Sequence, residues 1–182
     1  MKKLLLILLC LPFIGFGQAD KKYFDKAYDY GENGEYQLAI NNYSKAIRIN
    51  PDNASAYLNR GVAYEGLEKY EEAIADYTRA IKIDPEYAEK GYMKIGIIKG
   101  DLQKHTEAIT YFTKVIEIND SSSTAYFMRA NSYRLTNLPY CKDLLMACVL
   151  SEAGADLGNG YCVLYFRECD DKTKTKENNQ KQ

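Results

Sequence analysis

The stretch YEEAIADYTRAIKIDP, residues 70–85, has a near copy 34 residues upstream, YQLAINNYSKAIRINP, and a looser one 35 residues downstream, HTEAITYFTKVIEIND. A period of this length restricts the fold more than any other feature of the chain, because each period must be one small supersecondary unit that packs on its neighbours. Ala39, Ala46 and Pro51 recur as Ala73, Ala80 and Pro85, and Ala27 and Tyr30 as Gly61 and Tyr64. The third copy puts Gly96, Ala108, Phe112 and Val115 in the matching places, its extra residue falling before its first helix. Within one unit the apolar and small residues keep a helical period twice over. They are Tyr57, Leu58, Gly61, Tyr64 and Leu67, then Tyr70, Ala73, Ile74, Tyr77, Ala80 and Ile81. Gly34 and Gly66 mark turns that need backbone freedom. Pro51 and Pro85 end the second helix of their units, since the residue before a proline resists helical geometry. A lone helix pair cannot bury its apolar stripe, whereas stacked pairs can. No segment reads as a strand.

The ordered series of a small residue, an aromatic, an alanine, a second aromatic, a second alanine and a proline resembles the tetratricopeptide repeat (TPR). Gly61, Tyr64, Ala73, Tyr77, Ala80 and Pro85 show it in full, and the third copy departs with Lys99 at the aromatic position and Asp120 in place of proline. The resemblance implies an all-α, right-handed TPR superhelix of three to four helix-turn-helix repeats plus a C-terminal capping helix. The repeats are expected over 20–53, 54–87 and 89–122, with a degenerate fourth and its cap over 123–169. It also implies a concave groove, lined by the first helices, that binds an extended peptide or a partner helix. The repeat register places Phe24 and Tyr28, Leu58, Asn59 and Val62, Lys90, Met93, Lys94 and Ile97, and Phe127 and Asn131 on that groove. Asn59, Lys90 and Lys94 match positions with which dicarboxylate-clamp members hold a C-terminal carboxylate. The clamp's cation and amide of the first repeat are replaced by Phe24 and Tyr28, so a mixed groove with a cationic stretch near the third repeat is expected instead of a clamp.

The fourth unit breaks into YCKDLLMACVLSEAGADLGNGYCVLYFREC. Cys141 and Cys148 are seven apart, as are Cys162 and Cys169. Seven helical residues advance ~10.5 Å, whereas a disulfide needs its Cα atoms within about 7 Å, so neither pair can close on itself. Folded as an antiparallel hairpin centred on Ala155, the segment pairs Cys148 with Cys162 and Cys141 with Cys169. Cys141 and Cys148 are read as standing where earlier units carry packing alanines, with a capping helix from about Ala155 to Arg167. A four-cysteine zinc site is the competing reading, but structural zinc pairs are closer in sequence, and a redox role would favour a Cys-x-x-Cys pair, which is absent.

Residues 1–17, MKKLLLILLCLPFIGFG, have the layout of a secretory signal peptide, with Lys2 and Lys3, an apolar run, and cleavage after Gly17. Leu9, being large, argues against lipidation at Cys10. Removal of the leader leaves an even number of cysteines, which suits an oxidising compartment such as a bacterial periplasm or the exterior. The net charge moves from −1 to −3 once Lys2 and Lys3 leave, which points to neither nucleic acid nor an anionic membrane. No later segment is long and apolar enough to span a bilayer. The tail, 170–182, lacks apolar residues after Cys169 and reads as disordered. His105 is the one histidine, expected in an exposed turn, and nothing beside it completes a triad or a metal site. The reading is therefore a protein–protein interaction module or scaffold with no catalytic residues, cofactor or metal. A mainly architectural subunit of a cell-envelope assembly is the alternative.

Overall fold

A computed structural model describes residues 19–153 and 158–170. The expected leader, the turn centre at Ala155 and the tail after residue 170 lie outside them. The described residues form helices and turns without a strand. Helix α1 covers residues 19–32, followed by α2 Tyr36–Ile49, α3 Ala54–Glu65, α4 Tyr70–Ile83 and α5 Ala88–Asp101. Then come α6 His105–Ile118, α7 Ser123–Leu135, α8 Cys141–Ala153 and α9 Gly158–Tyr165. A 3-10 turn, Pro85–Tyr87, leads into α5, and a π turn, Phe166–Asp170, follows α9. His105 is thus the first residue of α6 and half-buried, where an exposed turn was expected.

Two recurrent turns set these boundaries. Inside each hairpin the first helix ends on a left-handed residue: Gly34 (φ 76°), Glu68 (57°), Gln103 (58°) or Asn137 (56°). The N–H of the next residue then donates to the carbonyl of Tyr30, Tyr64, Lys99 or Tyr133 at 2.8–2.9 Å, satisfying a helix-end acceptor that would otherwise be orphaned. Only Gly34 uses glycine's freedom at this place. Gly66 has an ordinary helical φ of −62°; it is needed for room, because a Cβ there would sit 2.7 Å from the Tyr36 ring. Between hairpins, Asn50, Asp84 and Asn119 turn extended and accept from the N–H two residues on, at 3.2, 3.0 and 3.1 Å. This side-chain turn survives at the third boundary, where Asp120 replaces the proline, because the asparagine carries it. Asn53 and Ser122 cap α3 and α7, accepting from Ala56 and Ala125 at 2.9 and 3.4 Å.

The chain divides into two compact units, residues 1–91 and 92–182. In the first, α2 packs on α3 and α3 on α4. Fully buried Ala27, Ala39, Ala46, Ala56, Ala73 and Ala80 let the helices approach, and Tyr43 and Tyr77 fill the space beside them. The Tyr77 ring lies on bare Gly61, where a Cβ would be 2.7 Å from it. Its hydroxyl donates to Glu65 at 2.6 Å; burial, with that carboxylate, holds its pKa well above the usual tyrosine value. In the second unit Phe112 lies on Gly96 in the same way, within a core of Ile95, Ile98, Ala108 and Val115.

Arg60 joins three helices. Its Nε and Nη2 donate to both oxygens of Asp76 on α4 at 2.7 and 2.8 Å, and its Nη1 to Ser44 on α2 at 2.9 Å. The rings of Tyr57 and Tyr64 flank it at 5.4 and 5.8 Å. The second unit repeats the arrangement: Arg129 binds Asp143 at 2.6 and 2.9 Å and Thr113 at 3.0 Å, between Tyr126 and Tyr133. Hydrogen bonding to the aspartate raises the pKa of both guanidinium groups.

Arg129 also sets the register of α8. Asp143 takes the place of Asp76, so Leu144 packs on Ala130 where a tyrosine packs in repeat two, and buried Ala147 takes the place of Ala80. Cys141 and Cys148 therefore do not stand at the alanine positions, as expected from sequence. They occupy the places of Ile74 and Ile81, on the side turned to the following helix, as Ile81 is turned to Gly91 of α5. Helix α8 starts two residues before its aspartate, whereas α4 starts six before, because Pro139 keeps Leu138 out of a helical conformation and shortens the first turn. From these positions Cys148 is bonded to Cys162 (Cα–Cα 4.6 Å) and Cys141 to Cys169 (5.7 Å). The cap consists of α9 and the π turn, which carries Cys169 fully buried.

Candidate functional site

The groove residues expected from the register fall into three groups. In the first unit, Tyr28 on α1 is 48 % exposed, and Asn59 and Val62 on α3 are half-buried. They share a pocket of about 330 Å³ with Gly31, Glu32, Tyr36 and Tyr43. Leu58, by contrast, is 2 % exposed. It is a core residue and leaves the set, because on α3 it faces inward one residue before Asn59. Phe24 is half-buried too, with its edge against the Tyr43 ring at 5.5 Å, so it supports the pocket wall from behind.

The pocket has a defined polarity. Asn59 donates from Nδ2 to the carbonyl and hydroxyl of Ser55 at 3.0 and 3.3 Å, which leaves its Oδ1 as an acceptor. Glu32 is exposed. Burial pushes the Tyr43 phenol up to about 12, with the negative potentials of Tyr28 and Glu32 acting in the same direction. Sequence reasoning missed Gly31, Glu32 and Tyr36. Gly31 and Glu32 follow Tyr28 by one turn of α1, so the helical period could have pointed to them. Tyr36 opens α2, the helix of the pair to which no groove role was given.

Along α5, Lys90 is exposed while Met93, Lys94 and Ile97 are half-buried. Lys90 and Lys94 stand one turn apart on the same helix. In the second unit the cap packs on one of the two remaining candidates. The Phe127 ring stacks on Tyr161 of α9 at 4.5 Å, and the Asn131 side chain accepts from Arg134 at 2.8 Å. Beside them is a cleft of only about 60 Å³, lined also by Leu164 and by Glu168, which accepts from the Tyr140 hydroxyl at 3.2 Å. Phe127 is thus a docking point for the chain's own cap. Among the described residues no group of three or more His, Cys, Asp or Glu side chains could hold a metal ion. No described helix is long and apolar enough to cross a membrane.

Comparison with known proteins gives a consistent picture. A family model described as "TPR repeat" matches residues 27–68, and two models described as "Tetratricopeptide repeat" match 54–87 and 89–122. No curated protein matches the chain by sequence. Among solved structures, a crystal structure of MamA is similar at 25 % identity and a TM-score of 0.71, over 75 % of this chain and 80 % of that one. The first TPR of Spaghetti (RPAP3), bound to the HSP90 peptide SRMEEVD, is similar at 27 % identity and a TM-score of 0.61 over 66 % of this chain and 94 % of that one. The second TPR domain of human RPAP3, in complex with the HSP70 peptide SGPTIEEVD, is similar at 29 % identity and a TM-score of 0.56, over 64 % and 94 %.

Proposed function

The chain belongs to the tetratricopeptide-repeat family, and from that premise we propose that it is a non-catalytic interaction module that takes a peptide or partner helix on the first helices of its repeats. The observation that carries this reading is the pocket of about 330 Å³ in the first unit, walled by residues of α1, α2 and α3. Peptide-bound relatives with the same repeat fold support it. A carboxylate clamp is not part of this reading, since Phe24 and Tyr28 stand where such a clamp would need a cation and an amide. Lys90 and Lys94 on α5 supply a second, cationic contact.

Export through the leader at 1–17 belongs to the same proposal. It is supported by two cysteine pairs at bonding distance, which suit an oxidising compartment. The mature protein then begins at Gln18, which N-terminal sequencing checks; a start at Met1 or a lipidated Cys10 refutes it. For the groove, partner capture from a periplasmic extract is compared across variants of matched melting temperature. Val62→Trp, which fills the pocket, and the pair Lys90→Glu with Lys94→Glu should lose the partner, and Glu71→Lys on the exposed face of α4 should keep it. The opposite pattern favours the architectural reading, in which the convex face makes the assembly contact.

A further inference from the structure

The pocket in the first unit is chemically selective. Four tyrosines of the first unit that do not line it are matched with a cation of the chain itself. Lys45 lies 5.5 Å from the Tyr23 ring, Lys26 lies 5.6 Å from Tyr30, and Arg60 lies between Tyr57 and Tyr64. Tyr28 and Tyr36 differ: both line the pocket, and neither has a cation over its ring among the described residues. Glu32, on the same lining, has no ion pair among the described residues, and no Lys or Arg side chain lines the pocket. Gly31 contributes no side chain, and a Cβ built there would meet nothing within 4 Å, so there is open space beside the carboxylate and the rings. Asn59 presents an acceptor. Rings, a carboxylate and an amide oxygen around an open space suit a donor-rich cation and oppose an anion.

Resting on the groove reading above, we propose that this pocket is the specificity subsite of the groove and takes a lysine or arginine side chain of the bound peptide, held over the Tyr28 and Tyr36 rings with its charge toward Glu32. A peptide ending in an acidic run would place its charge against Glu32, so the first unit selects the opposite charge from that of the α5 lysines.

The test is selection of binders from a random heptapeptide library on the full, disulfide-bonded chain. The recovered peptides should carry a lysine or arginine. Replacing it with norleucine, which keeps the stem and removes the charge, should weaken binding about tenfold. Glu32→Gln and Tyr28→Leu should each reproduce that loss with an unchanged circular dichroism spectrum and melting temperature. Both positions are exposed, so folding is not at stake. Binders that are lost on Val62→Trp, which fills the pocket without adding charge, but are indifferent to norleucine replacement overturn the cation subsite and leave the groove reading standing. Binders indifferent to Val62→Trp as well overturn both. Concentration-dependent self-association that Glu32→Gln abolishes assigns the pocket to a second copy of the chain and overturns the peptide subsite.

Discussion

Gly61→Ala tests the packing logic most directly, because alanine is the better helix former and yet should destabilise this helix. In an open helix interior the change gains about 0.5–1 kcal/mol from reduced backbone entropy of the unfolded chain. At Gly61 the new Cβ would stand 2.7 and 2.9 Å from two carbons of the Tyr77 ring. That ring cannot swing aside, being 0 % exposed and tied by its hydroxyl to Glu65 at 2.6 Å. Overpacking of this kind costs about 1–3 kcal/mol, so the net change should be a loss of up to about 2.5 kcal/mol. Gly100→Ala is the control, since a Cβ there meets nothing within 4 Å, and it should be neutral to stabilising by up to about 1 kcal/mol. Urea denaturation of the disulfide-intact chain, followed by circular dichroism, measures both. Adding Tyr77→Leu to Gly61→Ala should cost less than the two single changes summed, because the leucine vacates the contested space. Two stabilised single variants, or strictly additive losses, would refute the claim that the bare glycine is there for the ring.

The two arginine staples should behave as coupled pairs: Arg129→Met or Asp143→Asn alone costs about 2–4 kcal/mol, and the double variant much less than their sum, read from a double-mutant cycle. Stability should fall in alkali, since the Tyr43 pKa is about 12 in the fold against 10.0 for the free group. The folded state thus holds the proton more tightly, and the contribution is intact below pH 10 and lost as the pH rises toward 12. Tyr43→Phe should flatten that part of the pH–melting curve, and an unchanged curve contradicts the assignment. Non-reducing peptide maps should recover Cys148 with Cys162 and Cys141 with Cys169. Reduction should loosen the cap before the repeats, the inner loop being worth about 3 kcal/mol; a cap that melts no earlier argues against the staple role.

The sequence by itself determined the all-helical repeat, because a period near 34 residues with two helical stripes leaves one economical way to bury apolar surface. Local turn chemistry was partly legible as well: Asn50, Asp84 and Asn119 act through hydrogen bonds only two residues long. Signals that depend on a partner far along the chain were not. The Tyr57, Arg60 and Tyr64 spacing recurs as Tyr126, Arg129 and Tyr133, but nothing local says that Asp76 and Asp143 lie opposite. That pairing, with Pro139, displaced α8 and moved the cysteines from the alanine positions to the stripe facing the next helix. The same limit applies to the groove. Helical period alone put Leu58 and Val62 on one candidate surface, yet only packing against neighbouring helices buried the first and left the second at a pocket. Phe127 lies on α7, the first helix of its repeat, but the ring that stacks on it, Tyr161, comes from a cap tied to α8 by disulfides. Periodicity is a property of a helix and can be read along one strand of text. Exposure is a property of what comes to lie against that helix, and only the tertiary structure decides it.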